Sequence, residues 1–170
     1  MTDLLDPRLS DALAAFDAGQ ALTCEELLGR WRGSEVPTGH PMDGLLETYR
    51  WWGKAFRSAD DVDPLLFEGR DGTVRALDPR RLPLAVAANG WAPRWRAAGA
   101  LTALAHPLLA TGAPRARLRD MEVRGVVTAA MVYDHLPVVD AFRRVGDSEL
   151  LGLMDRRGDR VPFLFRLTRA

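Results

Sequence analysis

Lysine is almost missing from this 170-residue chain: Lys54 stands alone beside 22 arginines. Where arginine serves for every other cation, one retained lysine marks a place for a compact ammonium, which can shed its charge on burial or attack a carbonyl. Cysteine is as scarce. Cys24 by itself excludes an internal disulfide and a multi-cysteine zinc site, and it suits a reducing cytoplasm. No excess of either charge exists, since 23 basic residues balance 23 acidic ones. The chain therefore lacks the basic field that nucleic acids and anionic membranes require. Long apolar runs are absent too: nothing approaches the roughly 18 residues that span a bilayer. The opening "MTDLLDPRLS" does not follow a basic segment with an apolar one, so no secretory leader is expected. What remains is an ordinary balance of 47% apolar and 27% charged residues. At this length the expectation is one soluble, cytoplasmic domain over 1–170, able to bury a single core.

Turning to what is there, "PRLSDALAAFDA" at 7–18 places Leu9, Leu13 and Phe16 at helical spacing. Thr23-x-x-Glu26 is a capping box that opens a second, short helix. "GRWRGSEV" at 29–36 reads as a strand. After "PTGHP", the stripe Leu45, Leu46, Tyr49, Trp52 and Phe56 predicts a helix over 43–57, capped by Asp43 and carrying Lys54. "PLLFEG", "RDG" and "TVRALD" form a hairpin. The stretch 80–114 is broken by Pro and Gly, with one or two helical turns in "AAGALTALAHPLLA". From 115 onward, five runs separated by Gly125, Pro137, Gly146-Asp147 and Gly158-Asp159 predict an antiparallel meander. Within it, "VVTAAMVY" has no charge on either face, which suits a barrel wall covered by helices or an internal ligand cavity. The fold expected is mainly β, an antiparallel barrel of about eight strands with N-terminal helices packing on or capping it.

Gly29-Arg30-Trp31-Arg32-Gly33 resembles the start of the lipocalin and fatty-acid-binding calycins, where the tryptophan plugs one barrel end. The longer stretch "GRWRGSEVPTGHPMDGLLETYRWWGKAF" resembles a bacterial and fungal family named for its Gly-x-Trp-x-Gly motif. The segments "ARLRDMEVRGVVTAAMVYDHLPVVDAFRRV" and "LGLMDRRGD" resemble the C-terminal companion domain of unknown function found with it. The matches cover 29–68 and 115–168, and they imply a calycin-like barrel without naming a reaction.

Candidate chemistry gathers at three places: Lys54; His40 with Asp43 in "TGHPMDG"; and "MVYDHLPVVD", which brings together Tyr133, Asp134, His135 and Asp140. Imidazole passes protons near neutral pH and a carboxylate neighbour fixes its tautomer. His40, His106 and His135 lack metal-ligand spacing, so neither a metal nor a cofactor is expected. Two functions fit. The first is binding of a small lipophilic molecule in a barrel cavity, contacted by Trp31, Asp43, Trp51, Trp52, Met131 and Met154. The second is a cofactor-independent isomerase or cyclase acting on a lipophilic carbonyl or polyene, with Lys54, His40, Tyr133 and Asp134 as catalytic groups. The expected partner is a small lipophilic molecule, with no nucleic acid and no membrane; a homodimer is left open.

Overall fold

Among the described residues nine strands make one antiparallel sheet, and eight of them close into a ring. In the computed structural model residues 6–82 and 91–170 are described. β1 (Gly29–Glu35) lies between β2 (Trp51–Ser58) and β9 (Phe163–Arg169), and β2 pairs onward with β3 (Asp61–Glu68). β5 (Ala116–Val123), β6 (Val126–Tyr133), β7 (Val138–Gly146) and β8 (Glu149–Arg156) complete the circuit in sequence order. β4 (Val74–Ala76) stands outside the ring against β3, as the second arm of the expected hairpin. The meander β5 to β9 is the one its turn signals predict. The seam between β3 and β5 is narrow, held in register at Val62 and Ala116.

Two apolar layers follow from the period-2 alternation. Inward, Phe142, Leu150, Phe163, Phe165 and Leu167 share a core with Trp31 and Phe56. Outward, Ala130, Ala141, Leu151 and Leu164 are covered by α1 (Pro7–Ala18) through Leu9, Ala12 and Phe16. That is why β6 carries no charge on either face. α2 (Cys24–Leu27) has the full capping box between Thr23 and Glu26.

The predicted helix over 43–57 is not there. α3 spans only Leu45–Thr48, Arg50 turns left-handed with φ 61°, and Trp51–Ser58 is β2. The apolar stripe that reads as helical is a strand whose phase slips at Gly53, where the register with β3 is irregular on both sides. A glycine inside a helix is unfavourable, and Trp and Phe suit a strand with neighbours on both edges. The middle segment differs as well. α4 (Arg96–Leu109) is a single 14-residue helix where one or two turns are predicted, preceded by a 3-10 turn over Pro79–Arg81. The rest of that prediction, 83–90, lies outside the described residues.

Candidate functional site

Inside the ring a mostly apolar cavity of about 240 Å³ opens between β2, β3 and β6 to β9. Trp51, Leu65, Phe67, Tyr133, Met154 and Phe165 supply much of its wall, and Met42 and Leu46 lie across it from the segment around α3. Glu35, at the end of β1, seats that segment by accepting from the backbone amides of Gly44, Leu46 and Glu47. Burial raises the Glu35 carboxyl above the usual range, against those three bonds.

Three charged residues line the cavity: half-buried Arg156, paired with Asp159, and two buried among the apolar groups. Lys54 Nζ is 2.8 Å from Asp140 Oδ2, with the two side chains 3% and 1% exposed. Lys54 also donates to the carbonyl of Pro64 at 3.1 Å. Aromatic faces surround the ammonium: Phe165 at 4.9 Å, Trp51 at 5.6 Å and Tyr133 at 5.8 Å from the ring centroids. Such faces stabilise a desolvated cation. Burial raises the Asp140 carboxyl above its ordinary range although Lys54 pulls it down. Burial, helped by the neighbouring Asp140 charge, raises the Tyr133 phenol well above its ordinary value. Asp140 Oδ1 and Trp51 Nε1 are both buried without a hydrogen-bond partner. An acceptor and a donor thus stand unused in the wall of one cavity, at the cost that unpaired buried polar atoms carry.

The Gly-x-Trp-x-Gly motif has a role in building this wall. Trp31 is buried, donates to the Leu27 carbonyl at 2.7 Å, and closes the ring on the α2 side. Arg169 from β9 lies 4.4 Å over its ring. Gly33 is where the Trp51 indole rests: a Cβ on it would come within 2.1 Å of that ring. Trp51 takes the place of the missing side chain and thereby faces the cavity.

Lys54, Tyr133, Trp51 and Met154 therefore meet in one cavity with Asp140, and the other predicted catalytic and contact residues do not line it. His40 is buried beside Phe163, its Nδ1 accepting from the Met42 amide and its Nε2 3.9 Å from Asp159, with burial lowering its pKa. It ties the loop before α3 to the β8–β9 turn. Asp43 is a loop clasp, accepting from the amides of Thr38 and Gly39. Asp134 lies outside, 3.2 Å from Arg117. Trp52 also faces outward, beneath the guanidinium groups of Arg30 and Arg32. Met131 points inward opposite Asp140 in the β6–β7 register, but it is core and does not line the cavity. The partner of Lys54 is Asp140. The signal for Asp140 is its parity: in Val138-x-Asp140-x-Phe142 it is the one acid at an inward position of β7. Among the described residues no cluster of three or more His, Cys, Asp or Glu side chains has the arrangement of a metal site.

Cys24 donates to Asp120 Oδ1 at 3.3 Å, and burial with that acidic neighbour pushes its thiol up to about 11. At pH 8 the thiolate fraction is small, so Cys24 is expected to react with a disulfide reagent on the order of 100-fold more slowly than free cysteine. Stopped-flow absorbance on the folded protein measures this; reaction at the free-thiol rate would contradict it.

Residues 14–72 match the GXWXG protein family, and residues 114–169 match a domain of unknown function, DUF4334. The chain thus carries a GXWXG region followed by a DUF4334 domain. Its GXWXG region supplies Trp31, Trp51 and Lys54, while the DUF4334 domain supplies Tyr133, Asp140 and Met154. The ion pair and the cavity are shared between the two, and neither region holds them alone. Among solved structures, a crystal structure of a protein from Thermomonospora curvata is similar at 29% identity, covering 97% of each chain with a TM-score of 0.67. No curated protein matches the chain. No helix among the described residues is long and apolar enough to cross a membrane.

Proposed function

We propose that this protein binds a small lipophilic molecule bearing one polar group inside its eight-stranded ring, in a cytoplasmic setting. The observation that carries the reading is the pair of unpartnered buried atoms, Asp140 Oδ1 and Trp51 Nε1, on residues lining a mostly apolar cavity that also holds the Lys54 ammonium. Apolar walls with a few convergent polar groups are the usual design of a small-molecule site. A hydroxyl or carbonyl meets the polar atoms and the carbon frame meets the aromatic walls. Native mass spectrometry and calorimetry with alcohols and ketones of six to twelve carbons test it. Micromolar binding of at least one, lost in Asp140→Asn, is expected; no binding across the panel together with no co-purifying molecule would sink the reading.

A second reading, a cofactor-independent isomerase on the same scaffold, is favoured by the raised Asp140 carboxyl beside a fixed ammonium. Lys54 polarises a carbonyl oxygen, Asp140 removes a proton from the adjacent carbon, and the Asp140 carboxyl, after exchange with solvent, returns a proton elsewhere on the conjugated frame. Such a step balances without oxidant or cofactor. In this reading the proton carrier is Asp140, in place of His40 and Asp134, which lie outside the cavity. Cyclic enones incubated in deuterium oxide should gain deuterium with the native protein and not with Asp140→Asn. Binding without exchange would leave a carrier and remove the enzyme.

A further inference from the structure

A second apolar cavity, of about 150 Å³, lies between α4, the α3 segment and β3. It shares Met42, Leu46 and Phe67 with the first, so the same three side chains line both spaces. Its most unusual group is His106 on α4. The side chain is 0% exposed, and neither Nδ1 nor Nε2 has a hydrogen-bond partner. The other polar side chains in this wall are satisfied: Thr102 donates to the Ala98 carbonyl and Tyr49 to the Pro93 carbonyl. The His106 ring is in contact with Phe67, centroids 5.8 Å apart, and Phe67 in turn lines the inner cavity. Burial lowers the His106 pKa, which keeps the ring neutral with one donor and one acceptor nitrogen.

A buried imidazole with both nitrogens idle is costly to the free protein, and a phenylalanine of nearly the same shape would not carry that cost. We propose that His106 marks a second subsite, which takes a hydroxyl at the far end of the same lipophilic ligand whose first polar group sits near Lys54 and Asp140. A hydroxyl both donates and accepts, as a neutral imidazole does. Met42, unbranched and pliable, and Leu46 shift to let one molecule occupy both cavities. The inference rests on the binding reading given above and adds to it a ligand polar at both ends.

The test compares unbranched alkanols with α,ω-diols of six to twelve carbons, by calorimetry on native protein and His106→Phe. Native protein should bind at least one diol about 10-fold more tightly than the alkanol of equal length, and His106→Phe should lose that preference while still binding the alkanol. The free variant should melt about 2–4 °C higher, because an unsatisfied buried polar group is gone. In the native protein, the diol and not the alkanol should move the His106 ring nitrogens in a proton–nitrogen NMR correlation. Alkanols bound, with equal diol affinity in both proteins and unmoved His106 signals, would overturn the second subsite and leave the first cavity standing. If neither class binds native protein, the binding reading itself fails and this inference with it. A collapsed His106→Phe leaves the NMR comparison on native protein to decide.

Discussion

Lys54→Met lowers the stability of the folded protein by about 3–5 kcal/mol at neutral pH, because it leaves the Asp140 carboxylate buried with no partner. The group removed is one half of a 2.8 Å pair in an almost inaccessible place. Asp140 responds by holding its proton more tightly, since burial already raises its pKa and Lys54 is the influence that lowers it. A carboxyl whose folded pKa is raised contributes most below its unfolded value and loses that contribution as pH rises. The deficit of Lys54→Met is therefore smallest near pH 4 and grows as the pH climbs through the raised pKa. Lys54→Met combined with Asp140→Leu removes both charges and should recover most of the loss, since apolar replacement of a whole buried pair is often neutral or stabilising. Urea denaturation of the three proteins from pH 4 to pH 8 measures this. Equal deficits in the single and double variants at every pH would show that the pair is not what Lys54 contributes. If the double variant folds as well as the native protein but binds no ligand, the pair serves the cavity at the expense of the fold. Lys54→Arg does not rescue the single variant, because the planar guanidinium needs more room than the space among Trp51, Tyr133 and Phe165 provides.

Gly53→Ala is expected to cost about 2–4 kcal/mol, and to damage the site along with the fold. At φ 142° the position is strained for any residue with a side chain, and a Cβ there would come within 1.9 Å of the Trp31 carbonyl oxygen, a backbone atom that cannot swing away. The extra residue at this point is what allows Trp51 and Lys54, three apart, to face the same interior, as a β-bulge re-aims the side chains after it. Relief of the clash thus shifts the register and turns Lys54 away from Asp140. Gly72→Ala is the control. It also has a positive φ, 73°, but a Cβ there meets nothing within 4 Å, so its cost stays near 1 kcal/mol. Thermal unfolding followed by circular dichroism ranks the two, and comparable losses would contradict the clash.

The bulge also explains what could be read in the sequence and what could not. The meander from β5 to β9 is legible because alternation and turn residues agree along its length, and the uncharged faces of β6 mark it as a wall covered on both sides. β2 is misread because a slip of phase in a strand turns a spacing of two into three, and three is also a helical spacing. α4 is underestimated because Gly99 and Pro107 both look like breaks. Of the candidate groups read from the sequence, the lone lysine and Tyr133 are brought to one cavity. Asp140 hides among more exposed acids, and only knowledge of which β7 positions face inward separates it from Asp134. Trp51 and Trp52 are adjacent and chemically alike, yet the strand sends one to the cavity and the other beneath two arginines. His106 gives no sign of its isolation, since an unpaired imidazole is visible only once every neighbour has been placed.

Arg169, stacked over Trp31, also donates to the carbonyls of Glu26 and Leu28, the latter 141 residues earlier in the chain. β1 thus waits for β9 before its second edge is paired. During synthesis the N-terminal half leaves the ribosome with Trp31, Trp51 and Lys54 made but with no Asp140 and no far wall. An incomplete chain presents an open strand edge and apolar surface, the features that invite aggregation and chaperone capture. A molecule bound as proposed above could assist folding only once β9 has joined the sheet, so any protection it gives follows the closing of the ring.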